Sequence, residues 1–188
     1  NVIESMKITS DKRYTYITLD TQQPVPYTVS YSSSGIKFDF KYTSSTPKSQ
    51  KVSDNPVIRS ADWSEGTLSL GFTQSGSFLG YHSYYKGDKL VLRLTNPPTS
   101  ISNVRIAIDP GHGGKDKGTA GYYPDVSEAE INAVIAEKTA EALADKGAEV
   151  KLIKTDPYLT LNQRLEAARA YDANIYISIH SNSSVNTS

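Results

Sequence analysis

Three side chains in the second half of the chain have the types and positions for metal-assisted hydrolysis. His112 stands in "RIAIDPGHGG", residues 105–114; Glu128 opens "EAEIN"; His180 closes "NIYISIH". Two imidazoles and one carboxylate form the ligand set of a hydrolytic zinc site that keeps one position for water. Such a site works only if residues far apart in sequence meet at one point, and the surrounding elements show how they would. "VRIAID" reads as a strand that ends at Asp109, so His112 follows its C-terminal end. Ser127 with Glu130 forms a capping-box pattern, which starts a helix at Glu128. Ile131, Val134, Ile135 and Leu143 mark one helical face, and Gly147 its end. "AEVKLI" is a second strand. Thr160 with Gln163 caps a second helix, which runs to about Tyr171, and "NIYISIH" is a third strand ending at His180. The order β-α-β-α-β predicts a parallel sheet, and open α/β sheets keep their sites at the C-terminal ends of the strands. His112, His180 and the helix start at Glu128 all fall on that edge. Gly111, Gly113 and Gly114 would let the backbone turn sharply and aim the His112 ring into the crevice.

Other readings of the same residues stay open at this level. A Gly-rich loop before a helix can cradle phosphate, but "GHGGKDKG" has neither the dinucleotide nor the P-loop spacing. A strand-end histidine is often only a hydrogen-bonded structural residue, and an acid in the first helical turn favours the helix dipole in any case. Glu130 competes with Glu128 as a ligand, although its spacing from Ser127 suits capping. "SIHSNS" supplies Ser178, Ser181 and Ser183, yet the G-x-S-x-G elbow of a serine hydrolase is missing. Asp109 and Asn182 are candidates for supporting the ligands, because a ligating histidine usually donates its second N–H to a fixed acceptor.

The 188 residues suit one ordinary domain or two small ones. Lys plus Arg and Asp plus Glu both number 20, and this balance argues against a nucleic-acid partner. There is no cysteine, hence no disulfide framework and no thiolate metal site. No apolar run is long enough to span a membrane.

Residues 1–96 follow a different grammar. "YTYITLD", "GIKFDFKY", "TLSLGF" and "KLVLRLT" alternate apolar and polar residues, the period of half-buried strands, between Ser- and Gly-rich turns. A weak repeat is visible. Ile17–Leu19, Tyr27 and Ile36–Phe40 form one unit; Leu68–Leu70, Leu79 and Leu90–Leu94 form the other. It suggests a two-layer β-sandwich of two similar halves. "TNPPTSISN", residues 95–103, contains the linker, drawn at 97–103, before an α/β domain at 104–188.

The motifs "AIDPGHGGKDKGTAG", "SEAEIN", "LTLNQRLEAA" and "YISIHSNSS", in that order, closely resemble the zinc-dependent N-acetylmuramoyl-L-alanine amidases of the amidase-3 family. The resemblance implies that His112, Glu128 and His180 ligate Zn2+, with Glu128 rather than Glu130 because it opens the family's E-x-x-I-N pattern. It implies cleavage of the peptidoglycan amide between muramic acid and the first L-Ala of the stem peptide. "YITLD", "PVPY", "GIKFDF" and "KLVLRL" resemble, more diffusely, the AMIN domains that hold such enzymes at the cell wall. The fold expected is therefore an all-β, AMIN-like sandwich followed by the first β-α-β-α-β part of an α/β zinc-hydrolase domain. The expected partners are peptidoglycan and cell-wall or cell-division proteins. The expected location is secreted or in the cell envelope, with no signal-like segment at Asn1.

Two departures bear on activity. "IKTDPYLTL" is shorter than the equivalent stretch in many members. The family's domain is also roughly twice as long as the match, and its last strands carry a glutamate thought to act as catalytic base. By this resemblance that general base is expected beyond Ser188, in a longer amidase of which these residues are part. A non-catalytic wall-binding role for the chain, and a zinc peptidase acting on stem peptides, are the alternatives.

Overall fold

The computed structural model describes residues 2–45, 47–119, 125–155 and 157–181. They form two compact units, Asn1–Pro97 and Pro98–Ser188.

The first unit is all β: β1 (Val2–Ile3), β2 (Ser5–Ser10), β3 (Tyr14–Asp20), β4 (Tyr27–Ser32), β5 (Gly35–Phe40), β6 (Ser44–Ser45), β7 (Gln50–Lys51), β8 (Ile58–Ser64), β9 (Thr67–Phe72), β10 (Tyr81–Lys86) and β11 (Lys89–Thr95). One antiparallel sheet has the order β10-β11-β3-β2 and another β4-β5-β9-β8-β7; β1 and β6 pair in parallel. The suspected repeat is visible in this order. Exchanging β2–β5 with β8–β11 converts the first sheet into the β4-β5-β9-β8 part of the second, so each sheet takes one hairpin from each half. Alternation along the strands gives both sheets an apolar face. Ile17, Leu19, Leu90, Leu92 and Leu94 of one sheet join Ile36, Phe38, Leu68, Leu70 and Phe72 of the other in a single buried cluster.

The second unit begins with a short 3-10 turn, Ile101–Asn103, and continues through β12 (Arg105–Pro110), α1 (Glu128–Asp145), β13 (Glu149–Leu152), α2 (Leu161–Ala170) and β14 (Ile175–Ile179). The three strands form a parallel sheet in the order β13-β12-β14, as the β-α-β-α-β pattern predicts. Both capping boxes are made, at Ser127 with Glu130 and at Thr160 with Gln163. Successive β12 side chains point to opposite faces of the sheet. Ile106 and Ile108 pack with Ala136, Ala140 and Leu143 of α1, whereas Ala107 packs with Ala167 and Ala168 of α2.

The apolar face of α1 meets the sheet only in part. Only Leu143 of that set packs on the sheet; Ile131, Val134 and Ile135 are 39%, 52% and 44% exposed. The buried stripe is instead Glu128, Asn132 and Ala136, at i, i+4 and i+8. The helix is rotated so that the carboxylate at its first position turns inward, and that rotation carries the β-branched residues out.

Candidate metal centre

The register of the sheet brings the two histidines together. Pro110 lies opposite Ile179 across β12 and β14, and the next amide, Gly111 N–H, donates to the Ile179 carbonyl at 2.8 Å. His112 is then two residues past one strand and His180 one residue past the other; β14 stops at Ile179, so His180 follows the strand rather than closing it. The rings meet edge to face, with centroids 4.8 Å apart. Glu128, the first residue of α1, sits between them. One of its oxygens is 3.2 Å from His112 Nε2, and the other is 3.2 Å from His180 Nδ1.

Glu128 is only 5% exposed. Its carboxylate accepts from the Thr119 N–H and the Ser181 N–H, each at 3.0 Å, and from Asn132 Nδ2 at 3.4 Å. The Thr119 bond is the largest influence on its acidity and outweighs the opposing effect of burial, so the pKa falls to about 2. A charged carboxylate between two imidazoles suits a divalent cation. His112 Nδ1 lies 3.0 Å from Asp116, whose other oxygen accepts from the Gly118 N–H at 3.1 Å. The bond with His112, first, and then that amide hold the Asp116 carboxyl below its usual range. A carboxylate acceptor at Nδ1 suits a histidine that would offer Nε2 to a metal.

The donor set fits a metal of the zinc type. Ligand bonds of 2.0–2.2 Å in a tetrahedron set neighbouring donors about 3.3–3.5 Å apart, close to the 3.2 Å that separates each histidine nitrogen from its own Glu128 oxygen. One ligand atom from each of His112, Glu128 and His180 lies within 4.8 Å of the others, so the widest gap would close on binding. Two glycines keep the space free. A β-carbon at Gly118 would sit 2.6 Å from His112 Cδ2 and 2.9 Å from a Glu128 oxygen, and one at Gly111 would collide with the His180 ring. Beside the rings a cavity of about 220 Å³ is lined by Asp116, Tyr158, Leu159 and Leu161, among others.

The remaining site candidates fall out differently. Asp109, expected to support a ligating histidine, touches neither: its buried carboxylate bonds Arg164 Nη1 at 2.6 Å, Tyr176 OH at 2.5 Å and Ser178 Oγ at 3.0 Å. Strand alternation explains this, since Asp109 shares the parity of Ala107 and faces α2. The acceptor for His112 is Asp116 instead. Asn182 lies outside the described residues. Glu130 is occupied by the Ser127 N–H and Oγ at 2.9 and 2.8 Å, as a capping partner. Sequence reasoning missed Asn132, which is fully buried and donates to the Gly111 carbonyl at 3.2 Å as well as to Glu128. The available signal was its place four residues after Glu128, on the same helical stripe.

The parallel α/β sheet thus gathers two histidines and a helix-start glutamate at one edge, a group that could hold a metal ion. Residues 106–188 match the family model for N-acetylmuramoyl-L-alanine amidase, Amidase_3. It is 42% identical over 84 residues to "Probable N-acetylmuramoyl-L-alanine amidase AmiB" of Haemophilus influenzae, a match covering 43% of this chain and 19% of that one. It is 37% identical over 81 residues to the sporulation-specific N-acetylmuramoyl-L-alanine amidase of Bacillus subtilis, covering 43% of this chain and 32% of the other. Among solved structures, the catalytic domain of CwlV, an N-acetylmuramoyl-L-alanine amidase from Bacillus (Paenibacillus) polymyxa, is 36% identical, with coverage of 44% and 48% and a TM-score of 0.42. The chain thus spans less than half the length of each of these relatives.

Proposed function

We propose that the second unit holds Zn2+ through His112, Glu128 and His180, and serves hydrolysis of the peptidoglycan amide between muramic acid and L-Ala. The observation that carries this reading is the convergence of the three donors around a carboxylate kept ionised by two backbone amides. Zn2+ bound there would polarise the scissile carbonyl and lower the pKa of a bound water towards ~7. The chain's own part is to fix that ion. Asp116 holds the His112 ring, Asn132 and two amides hold the carboxylate, and Gly111 and Gly118 keep the rings close. Neither acid lining the cavity is assigned the role of general base, because Asp109 is engaged by Arg164 and Asp116 by His112.

The first unit is proposed as an AMIN-like β-sandwich that holds the protein at the cell wall. Its paired hairpins and single core support this architecture. The setting that follows is the cell envelope or the exterior; among the described residues no helix is long and apolar enough to cross a membrane.

Metal analysis of the full chain and of its His112→Ala and His180→Ala variants tests the centre, and equal zinc in all three would refute it. Product analysis tests the reaction. Free stem peptide beginning with L-Ala, with intact glycan, supports the amidase; release of single amino acids would move the assignment to a peptidase.

A further inference from the structure

Arg164 is 3% exposed and touches no metal ligand side chain, yet its guanidinium is engaged on every nitrogen. Nε donates to the Leu159 carbonyl at 3.1 Å. Nη1 donates to Asp109 at 2.6 Å and to the Pro110 carbonyl at 2.7 Å, and Nη2 to the His112 carbonyl at 2.5 Å. One planar group therefore binds three points within residues 109–112. That stretch is where the chain leaves β12 and turns left-handed, with His112 at φ +67°. A histidine gains nothing from that conformation by itself, and L-residues there cost about 1–2 kcal/mol. An outside partner must hold it.

We propose that Arg164 is the positioning residue of the metal centre: by clamping the carbonyls of Pro110 and His112, it fixes the left-handed turn that aims His112 Nε2 at Glu128. The proposal rests on the reading of His112, Glu128 and His180 as metal ligands. The clamp needs a flat fork with diverging donors, which lysine lacks despite its equal charge. The fork is itself delivered by secondary structure. The Thr160 capping box starts α2, and Arg164 comes one turn later, where its backbone N–H donates to the Thr160 carbonyl at 3.1 Å. Asp109 completes the arrangement from the last turn of the strand, held in turn by Tyr176 and Ser178. The centre is thereby tied to β12, α2 and β14 at once.

The test measures metal binding on the full chain. Zn2+ affinity is read by competition with a chromophoric chelator, and coordination by the visible absorption of the Co2+-loaded protein. Arg164→Lys is expected to bind Zn2+ about 10- to 100-fold more weakly, with Co2+ bands altered in position and intensity. Arg105→Lys, which alters a guanidinium bound to Glu149 at the opposite end of β12, is expected to leave affinity and spectrum unchanged. Parent-like affinity and spectrum in Arg164→Lys would overturn the proposal, and so would equal weakening in both variants. If Arg164→Lys does not fold, Asp109→Asn decides, since it removes the charge that aims the guanidinium: weaker binding with an altered spectrum supports the clamp, and parent-like binding overturns it. Failure of the underlying metal reading is a separate result, namely a parent that binds no more Zn2+ than His112→Ala.

Discussion

Replacing Gly118 by alanine adds one methyl group where two of the proposed metal ligands meet. The new β-carbon would lie 2.6 Å from His112 Cδ2, 2.8 Å from His112 Cγ and 2.9 Å from a Glu128 oxygen. Against an ordinary contact of 3.4 Å, the ring must retreat by 0.8 Å and the carboxylate by 0.5 Å, or the loop must move. Neither side chain is a loose chain end. The ring is pinned by Asp116 and the carboxylate by two amides, so any retreat gives up a bond that orients a donor. Gly118 also has φ +67°, which adds backbone strain. Overpacking of this kind costs about 1–3 kcal/mol of stability. Displaced donors should weaken Zn2+ binding by about 10- to 100-fold, the range seen when ligand-orienting partners are lost. Gly76→Ala separates the two effects. Gly76 has φ +75° with nothing within 4 Å, so it carries the strain without the clash. It should lose about 1–2 kcal/mol and bind metal as the parent does. Thermal unfolding and chelator competition on both variants give the answer. A Gly118→Ala protein with parent-like Zn2+ affinity would refute the argument that this glycine guards the ligand geometry.

Asp116→Ala leaves His112 Nδ1 without its acceptor and should weaken Zn2+ binding by about 10-fold or more, read by the same competition assay. The Glu128 carboxyl, depressed from 4.5 to about 2, stabilises the metal-free fold fully above 4.5 and loses that contribution as pH falls through 2. The stability gap between the parent and Glu128→Gln in denaturant unfolding should therefore shrink between those values; a gap constant with pH would contradict the assignment. Thr160→Ala removes the cap of α2 and should cost about 1 kcal/mol, measured by urea unfolding. Ile135→Glu, on the exposed side of α1, should change stability by no more than about 0.5 kcal/mol. Ala136→Leu, on its buried side, should cost about 1–3 kcal/mol.

The local chemistry of the chain was legible in its sequence. Ser127 with Glu130 and Thr160 with Gln163 announced two helix starts, because capping depends on residues three apart and on nothing distant. Apolar runs separated by those helices implied a parallel sheet, and parallel topology alone put His112, Glu128 and His180 on one edge. The faint repeat of the first half likewise reflected a real exchange of hairpins between two sheets. Tertiary structure decided which face of each element turns inward and which donor meets which acceptor. The apolar pattern of α1 pointed to Ile131, Val134 and Ile135, but the helix turned Glu128, Asn132 and Ala136 inward, where the Glu128 carboxylate meets the donors of Thr119, Ser181 and Asn132. Asp109 looked near to His112 in sequence, yet the pleat sends it to the opposite face of the sheet. Asp116, four residues beyond His112, returns to it through a loop whose path depends on glycines with positive φ. Arg164 is 52 residues from His112, and no period or cap in the sequence ties a helix arginine to the carbonyls of a distant loop. Such bonds are set by how α2 packs on the sheet, and only the folded chain fixes that.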